Sequence, residues 1–279
     1  MHDIRRKLLS QNFLSSRKLV AALIDNSFIG KQDLVVEIGP GRGIITEQLV
    51  KRAGHVMAVE LDNQCFNHLQ KKFPTTDNLT LYHADFLTHP LPKLPYKVFA
   101  NIPFAIEGKI IHKLIEAQNP PTDCYLVVMS QLAYRLAQSK LTRSKTVFLK
   151  RETMFSALHR PWFDFSIAYH FRRFDFTPVP QVNAVLFRFT KKQLPLLPWA
   201  ERKVYQRFVK RAFVNGRPLR NNLKTIYALD QIDACLQQLS LNKKVKPGRL
   251  HLEQWIALYL QLSEQSGRCH DQDKYRTLY

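Results

Sequence analysis

Over its first two-thirds the chain alternates short apolar runs with stretches of helical spacing. Leu34-Val35-Val36-Glu37-Ile38, Val56-Met57-Ala58-Val59-Glu60, Leu79-Thr80-Leu81-Tyr82, residues 96–100 and Tyr125-Leu126-Val127-Val128-Met129 read as five strands. Runs that are apolar on both faces suit a parallel sheet covered on both sides. Residues 44–52, 62–73 and the segment carrying Ile110, Ile111, Leu114 and Ile115 read as the intervening helices. That order builds βαβ units and predicts an α/β fold. Residues 131–138 and 146–158 read as further helices. The period then drops to two: Phe163, Phe165, Ile167, Tyr169 and Phe171 alternate with small or polar residues, and so do Val185, Phe187 and Phe189. Two such runs predict an antiparallel pair closing one sheet edge. Leu194-Pro195-Leu196-Leu197-Pro198 reads as a linker. Beyond it, residues 199–215, 219–228, 230–239 and 250–264 read as helices, broken at Gly216-Arg217-Pro218 and Pro247-Gly248. The expected organisation is a sheet domain over 1–190 and a small α-helical domain over 191–279, with a frayed polar tail from 265.

Composition narrows the setting. A chain of 279 residues, 45% hydrophobic, can bury the core of one large and one small domain. It has no run of about 18 apolar residues, so no membrane span is expected. The start, Met1-His2-Asp3-Ile4-Arg5-Arg6-Lys7, lacks the apolar segment of a secretion signal. Cys65, Cys124, Cys235 and Cys269 are scattered, without CxxC or HxxxH spacing. Free thiols in a cytoplasmic protein without a structural metal are the economical expectation.

Charge changes the picture. The net charge is +20, and residues 191–279 carry 17 Lys and Arg against 7 Asp and Glu. Between 202 and 224 stand Arg202, Lys203, Arg207, Lys210, Arg211, Arg217, Arg220 and Lys224 with no acid, interleaved with Tyr205, Phe208 and Phe213. A basic stripe with aromatics is the footprint of a polyanion, nucleic acid before a membrane surface or an acidic protein.

The candidate chemistry lies at the carboxyl ends of the strands, where open α/β sheets bind ligands. The first strand runs into Gly39-Pro40-Gly41-Arg42-Gly43. Glycines there let backbone approach a ligand, and the following helix offers free N–H groups. The spacing is neither the G-x-G-x-x-G dinucleotide pattern nor a P-loop. Glu60 ends the second strand and Asp85 follows the third, where acids can accept from ribose hydroxyls and an adenine amine. Asn101-Ile102-Pro103-Phe104 follows the fourth. Its Asn oxygen and a carbonyl beside the rigid, N–H-less Pro can accept from an exocyclic amine, and Phe104 can stack on a flat base. The glycine loop and the two acids suit either a dinucleotide or S-adenosylmethionine; the amine-binding tetrad suits only the second.

These segments, with Gln11-Asn12-Phe13-Leu14, Ala84-Asp85-Phe86-Leu87, residues 176–182 and residues 213–219, resemble the motifs of the ribosomal RNA adenine-N6 methyltransferases over roughly residues 5–225. The resemblance implies a Rossmann-like methyltransferase sheet with a helical RNA-binding domain and S-adenosylmethionine as cofactor. Asn12, Leu14, Glu37, Gly39, Gly41, Glu60, Asp85 and Asn101 would hold the cofactor. Asn101, Ile102, Pro103 and Phe104 would carry the catalysis. Arg5, Arg6, Lys7, Arg207, Lys210, Arg211, Arg217 and Arg220 would hold RNA phosphates. The tetrad resembles the Erm branch, as do Arg42-Gly43 and Thr46, whereas the small-subunit dimethylating branch usually shows N-L-P-Y followed by N-I-S-T. A monomeric enzyme acting on 23S rRNA before full ribosome assembly, and conferring macrolide, lincosamide and streptogramin B resistance, is the expectation. The alternative is a 16S rRNA dimethyltransferase. Two departures stand out. Ala105-Ile106-Glu107-Gly108 replaces the usual I-S-T type of sequence, and Glu107 reads as a solvent-facing acid whose charge suits a helix N-terminus, the alternative being a carboxylate that alters base positioning or the number of methyl groups added. Gly216 stands where a second arginine is often found.

Overall fold

The computed structural model describes residues 12–137 and 153–264. Arg5, Arg6, Lys7, Gln11, Cys269, the 146–152 part of an expected helix and the 265–279 tail lie outside the described residues. In chain order the elements are β1 (Phe13–Leu14), α1 (Arg17–Asp25), β2 (Leu34–Ile38), α2 (Ile44–Arg52), β3 (His55–Glu60), α3 (Asn63–Lys72), β4 (Leu79–His83), β5 (Lys97–Asn101), α4 (Glu107–Glu116), β6 (Asp123–Met129), α5 (Ser130–Ala137), α6 (Met154–His159), β7 (Phe163–His170), β8 (Phe176–Thr177), β9 (Ala184–Lys191), α7 (Arg202–Ala212), α8 (Leu219–Leu223), α9 (Leu229–Gln238) and α10 (Leu252–Glu264).

They form two compact units. The first holds residues 12–137 and 164–191, the second residues 153–163 and 192–264. Helix α6 is thus grouped with the C-terminal helices, and the chain passes between the units at three places rather than one.

The first unit is built on a seven-stranded sheet in the order β4-β3-β2-β5-β6-β9-β7. Strands β4 to β6 are parallel, and β9 runs antiparallel to β6. Val35, Val36, Val56, Ala58, Val98, Phe99, Leu126 and Val127 are at most 2% exposed, which is why their strands read as unbroken apolar runs. The helices start where the sequence supplies caps. The Ser16 hydroxyl accepts from Leu19 N–H at 3.1 Å, and Asp62 Oδ1 from Cys65 N–H at 2.9 Å. Two elements carry no periodic signal. β1 and β8 are two residues each and pair antiparallel, Phe13 opposite Thr177 and Leu14 opposite Phe176. Helix α1 also went unforeseen; it buries Val20, Leu23 and Ile24 in the core.

The second unit is helical with an aromatic core. Tyr205 packs edge-on to Trp162 and Tyr259 at 5.5 and 5.1 Å, and Phe213 stacks on Trp255 at 5.5 Å. This corrects the reading of 202–224 as a stripe of bases and aromatics together. Tyr205 and Phe208 are fully or almost fully buried. They give α7 its inner face together with Arg202, which is buried with its guanidinium over the Phe163 and Trp199 rings, while Lys203, Arg207, Lys210 and Arg211 are exposed.

Candidate active site

The carboxyl ends of β2, β3, β4 and β5 bring the sequence-predicted residues to one sheet edge. After β2 the chain turns through Gly39 at φ 63° and Gly41 at φ 56°, in the left-handed region that favours glycine. An added Cβ on Gly39 would meet nothing within 4 Å, so the backbone there is open to a ligand. A Cβ on Gly41 would stand 2.6 Å from the Phe13 ring. Gly41 therefore makes room for the N-terminal arm as well as for any ligand.

Glu60 ends β3 and is 2% exposed. Its Oε2 accepts from Gly41 N–H and its Oε1 from Asp62 N–H, both at 2.8 Å. Burial raises its carboxyl above the usual range, against those bonds. Glu37 on β2 is 1% exposed, and its hydrogen-bonding neighbour is Thr46 in the first turn of α2. Burial pushes its carboxyl up to about 8. Asp85 is half-buried past β4, with Oδ1 accepting from Leu87 N–H at 2.8 Å. Lys113 of α4 steadies that segment by donating to the carbonyls of Phe86, at 2.5 Å, and His89.

Asn101 is the last residue of β5. Its Nδ2 donates to the Asn12 carbonyl at 2.7 Å, which turns Oδ1 the other way as an acceptor. Ile102 is buried, and Pro103 at φ −62° leads into a single turn closed by Ile106 N–H to the Pro103 carbonyl at 3.1 Å. Phe104 is half-buried and packs against the core.

A shallow cleft opens here, lined by Asn12, Phe13, Leu14, Gly39, Pro40, Ile44, Ile45 and residues 101–104. Glu37, Gly41, Glu60 and Asp85 are not in its lining, although Gly41 and Glu60 are bonded to each other beside it. Phe13, Pro40, Ile44 and Ile45 are wall residues that sequence reasoning did not single out. Phe13 stood inside a quoted motif, but nothing in its spacing showed that a late segment, β8, would hold it there.

Two sequence readings change. Glu107 is not solvent-facing: it is 4% exposed, and its Oε2 accepts from Met129 N–H at 2.9 Å. Arg220 is half-buried and bidentate to Asp233 at 2.5 and 3.1 Å, and Lys243 joins the same carboxylate at 2.7 Å. Arg207, Lys210, Arg211 and Arg217 are exposed. Among the described residues there is no His, Cys, Asp and Glu group that could hold a metal, and no helix is long and apolar enough to cross a membrane. The three described cysteines are free thiols.

A mostly parallel sheet with helices between its strands, a glycine turn after β2 and acids after β3 and β4 is the Rossmann-like methyltransferase fold. The sequence matches the family described as Ribosomal RNA adenine dimethylase over residues 1–264, and the chain belongs to that family. It is an S-adenosylmethionine-dependent rRNA adenine-N6 methyltransferase. It is 28% identical to the Ribosomal RNA small subunit methyltransferase A of Lactococcus lactis subsp. lactis over 271 residues, covering 92% of this chain and 90% of that one. It is also 28% identical to the rRNA adenine N-6-methyltransferase of Aeromicrobium erythreum, covering 95% and 76%. The solved structure of the 23S rRNA methyltransferase ErmE matches with a TM-score of 0.76 and 26% identity, over 90% of this chain and all of that one.

Proposed function

We propose that the chain methylates N6 of one adenine in 23S rRNA, before full ribosome assembly, and so confers macrolide, lincosamide and streptogramin B resistance. The observation that carries adenine chemistry is the Asn101 amide, whose N–H is taken by Asn12 while its oxygen is left to accept. The open backbone at Gly39 fits an adenosine cofactor lying along the glycine turn. Gly39 would hold its methionine part, Glu60 its ribose and Asp85 its adenine, with Asn12 and Leu14 lining the pocket from the N-terminal arm and Glu37 and Gly41 behind the loop. When bound, S-adenosylmethionine supplies an electrophilic methyl group. The chain's own work is to position the nucleophile. The N6 lone pair of adenine is delocalised into the ring. Asn101 Oδ1 and the Ile102 carbonyl accept its two N–H bonds and hold the lone pair outward, and Phe104 stacks on the base. Preorganised acceptors and orientation then carry the rate. The amine's spare proton leaves to water, so no strong base is needed. The adenine must leave its stack, which costs least in single-stranded or loop RNA.

The 23S assignment rests on Ile102 and Phe104 in the tetrad and is supported by the 26% identity to ErmE. The name of the Lactococcus lactis relative favours the second reading, a 16S rRNA adenine. Incubation with deproteinised 16S and 23S rRNA and S-adenosylmethionine, followed by mass spectrometry of nuclease fragments, separates them. A methylated adenine in a 23S fragment is expected, and a mark confined to 16S rRNA refutes the 23S reading. The same spectra count the methyl groups.

A further inference from the structure

The loop that accepts the amine is held at both ends by one strand. At its entry, Asn101 pairs with Val127 in the β5–β6 register. At its exit, the Glu107 carboxylate takes the N–H of Met129, the last residue of β6. Val127 and Met129 are two positions apart, about 6.6 Å along the strand and on the same face. The backbone ladder can be supplied by any sequence; the exit depends on one side chain. Nothing else at the helix start replaces it, because Ile106 at the α4 N-cap makes no side-chain hydrogen bond.

We propose that Glu107 is a positioning residue for methyl transfer, pinning the exit of the 102–106 loop to β6 so that Asn101 Oδ1 and the Ile102 carbonyl meet the adenine amine in register. The inference rests on that loop being the amine acceptor. Glu107 touches neither cofactor nor base; it acts through the backbone it fixes. Burial pushes its carboxyl up to about 7, yet the protonated and ionised forms both keep an oxygen lone pair for Met129 N–H. Acceptance, not charge, is therefore the property required, and glutamine should supply it.

The experiment compares the full-length wild type, E107Q and E107A in single-turnover methyl transfer to deproteinised 16S and 23S rRNA, with cofactor affinity measured separately by calorimetry. E107A is expected to transfer about 10- to 100-fold more slowly, as a small misplacement of reacting groups costs, with cofactor affinity unchanged. E107Q is expected to stay close to wild type. A wild-type rate in E107A overturns the proposal, and so does E107Q as slow as E107A. A rate loss matched by an equal loss of cofactor binding or of folded protein assigns Glu107 to general stability and also overturns it. Should E107A fail to fold, E107D, one methylene too short to reach β6, takes its place. N101A in the same assay keeps the two claims apart. If N101A transfers normally, the loop assignment fails; if N101A is inactive while E107A is normal, only the Glu107 proposal fails.

Discussion

At the residue scale, the site depends on which polar atoms are already engaged. Asn101 spends its donor on Asn12 and keeps its acceptor, so Asn101→Ala should lower single-turnover methyl transfer by about 10²–10³-fold, the usual loss on removing one preorganised hydrogen-bonding group. RNA binding, read by filter retention, should not change; an unaltered rate would remove Asn101 from the mechanism. Glu37 makes the opposite case, a buried carboxyl whose loss of solvent outweighs its hydrogen bonding to Thr46. Its carboxyl sits near 8 in the folded chain and in the ordinary range near 4.5 when unfolded. The folded state therefore binds the extra proton between those values, and stability falls as pH rises through that window. The melting temperature of the cofactor-free chain should drop from pH 5 to pH 8, and Glu37→Gln should flatten the drop; parallel curves would contradict it. Both residues were legible in sequence because each ends or precedes a turn at a strand's carboxyl edge. Glu107 was not. A carboxylate in the first turn of a helix looks solvated unless one knows that the neighbouring strand brings its last N–H within reach.

At the element scale, legibility followed length and burial. β2, β3, β5 and β6 were readable because both faces are covered and the residues are apolar throughout. β1 and β8 were not, because two residues have no period. Yet these fragments place Asn12, Phe13 and Leu14 in the pocket wall. Phe13→Ala should remove about 1–2 kcal/mol of apolar contact and weaken cofactor binding about tenfold, measurable by calorimetry. Unchanged affinity would mean that the arm only covers the core. The aromatics of α7 were misread for a related reason: a helix with basic and aromatic residues looks the same in sequence whether the rings face solvent or a core, and only Trp162, Trp255 and Tyr259 settle it.

At the scale of the whole molecule, the charge of +20 is a property of the surface rather than of the pocket. RNA affinity should fall steeply with salt, with a log–log slope of about −0.7 for each phosphate neutralised on a single strand; a flat response would remove the RNA footprint. Within the helical unit the cations are not equivalent. Replacing exposed Arg207 or Lys210 should reduce that slope by about one phosphate's share. Replacing Arg220 should instead lower the melting temperature, because Asp233 then loses its bidentate partner and keeps only Lys243.

The β1–β8 ribbon also fixes an order of events in time. The Ser15 side chain meets the Asp175 carbonyl across 160 positions of chain, so one wall of the pocket is synthesised first and fastened last. A contact of that separation closes a long loop whose entropy must be met before the pairing returns anything. While the protein is being made, the arm stays unfastened until nearly two-thirds of the chain has emerged, and a cofactor molecule arriving earlier finds a pocket without its lid strand. Pulsed hydrogen exchange during refolding should show amides of β2, β3 and β5 protected before those of Leu14 and Ser15.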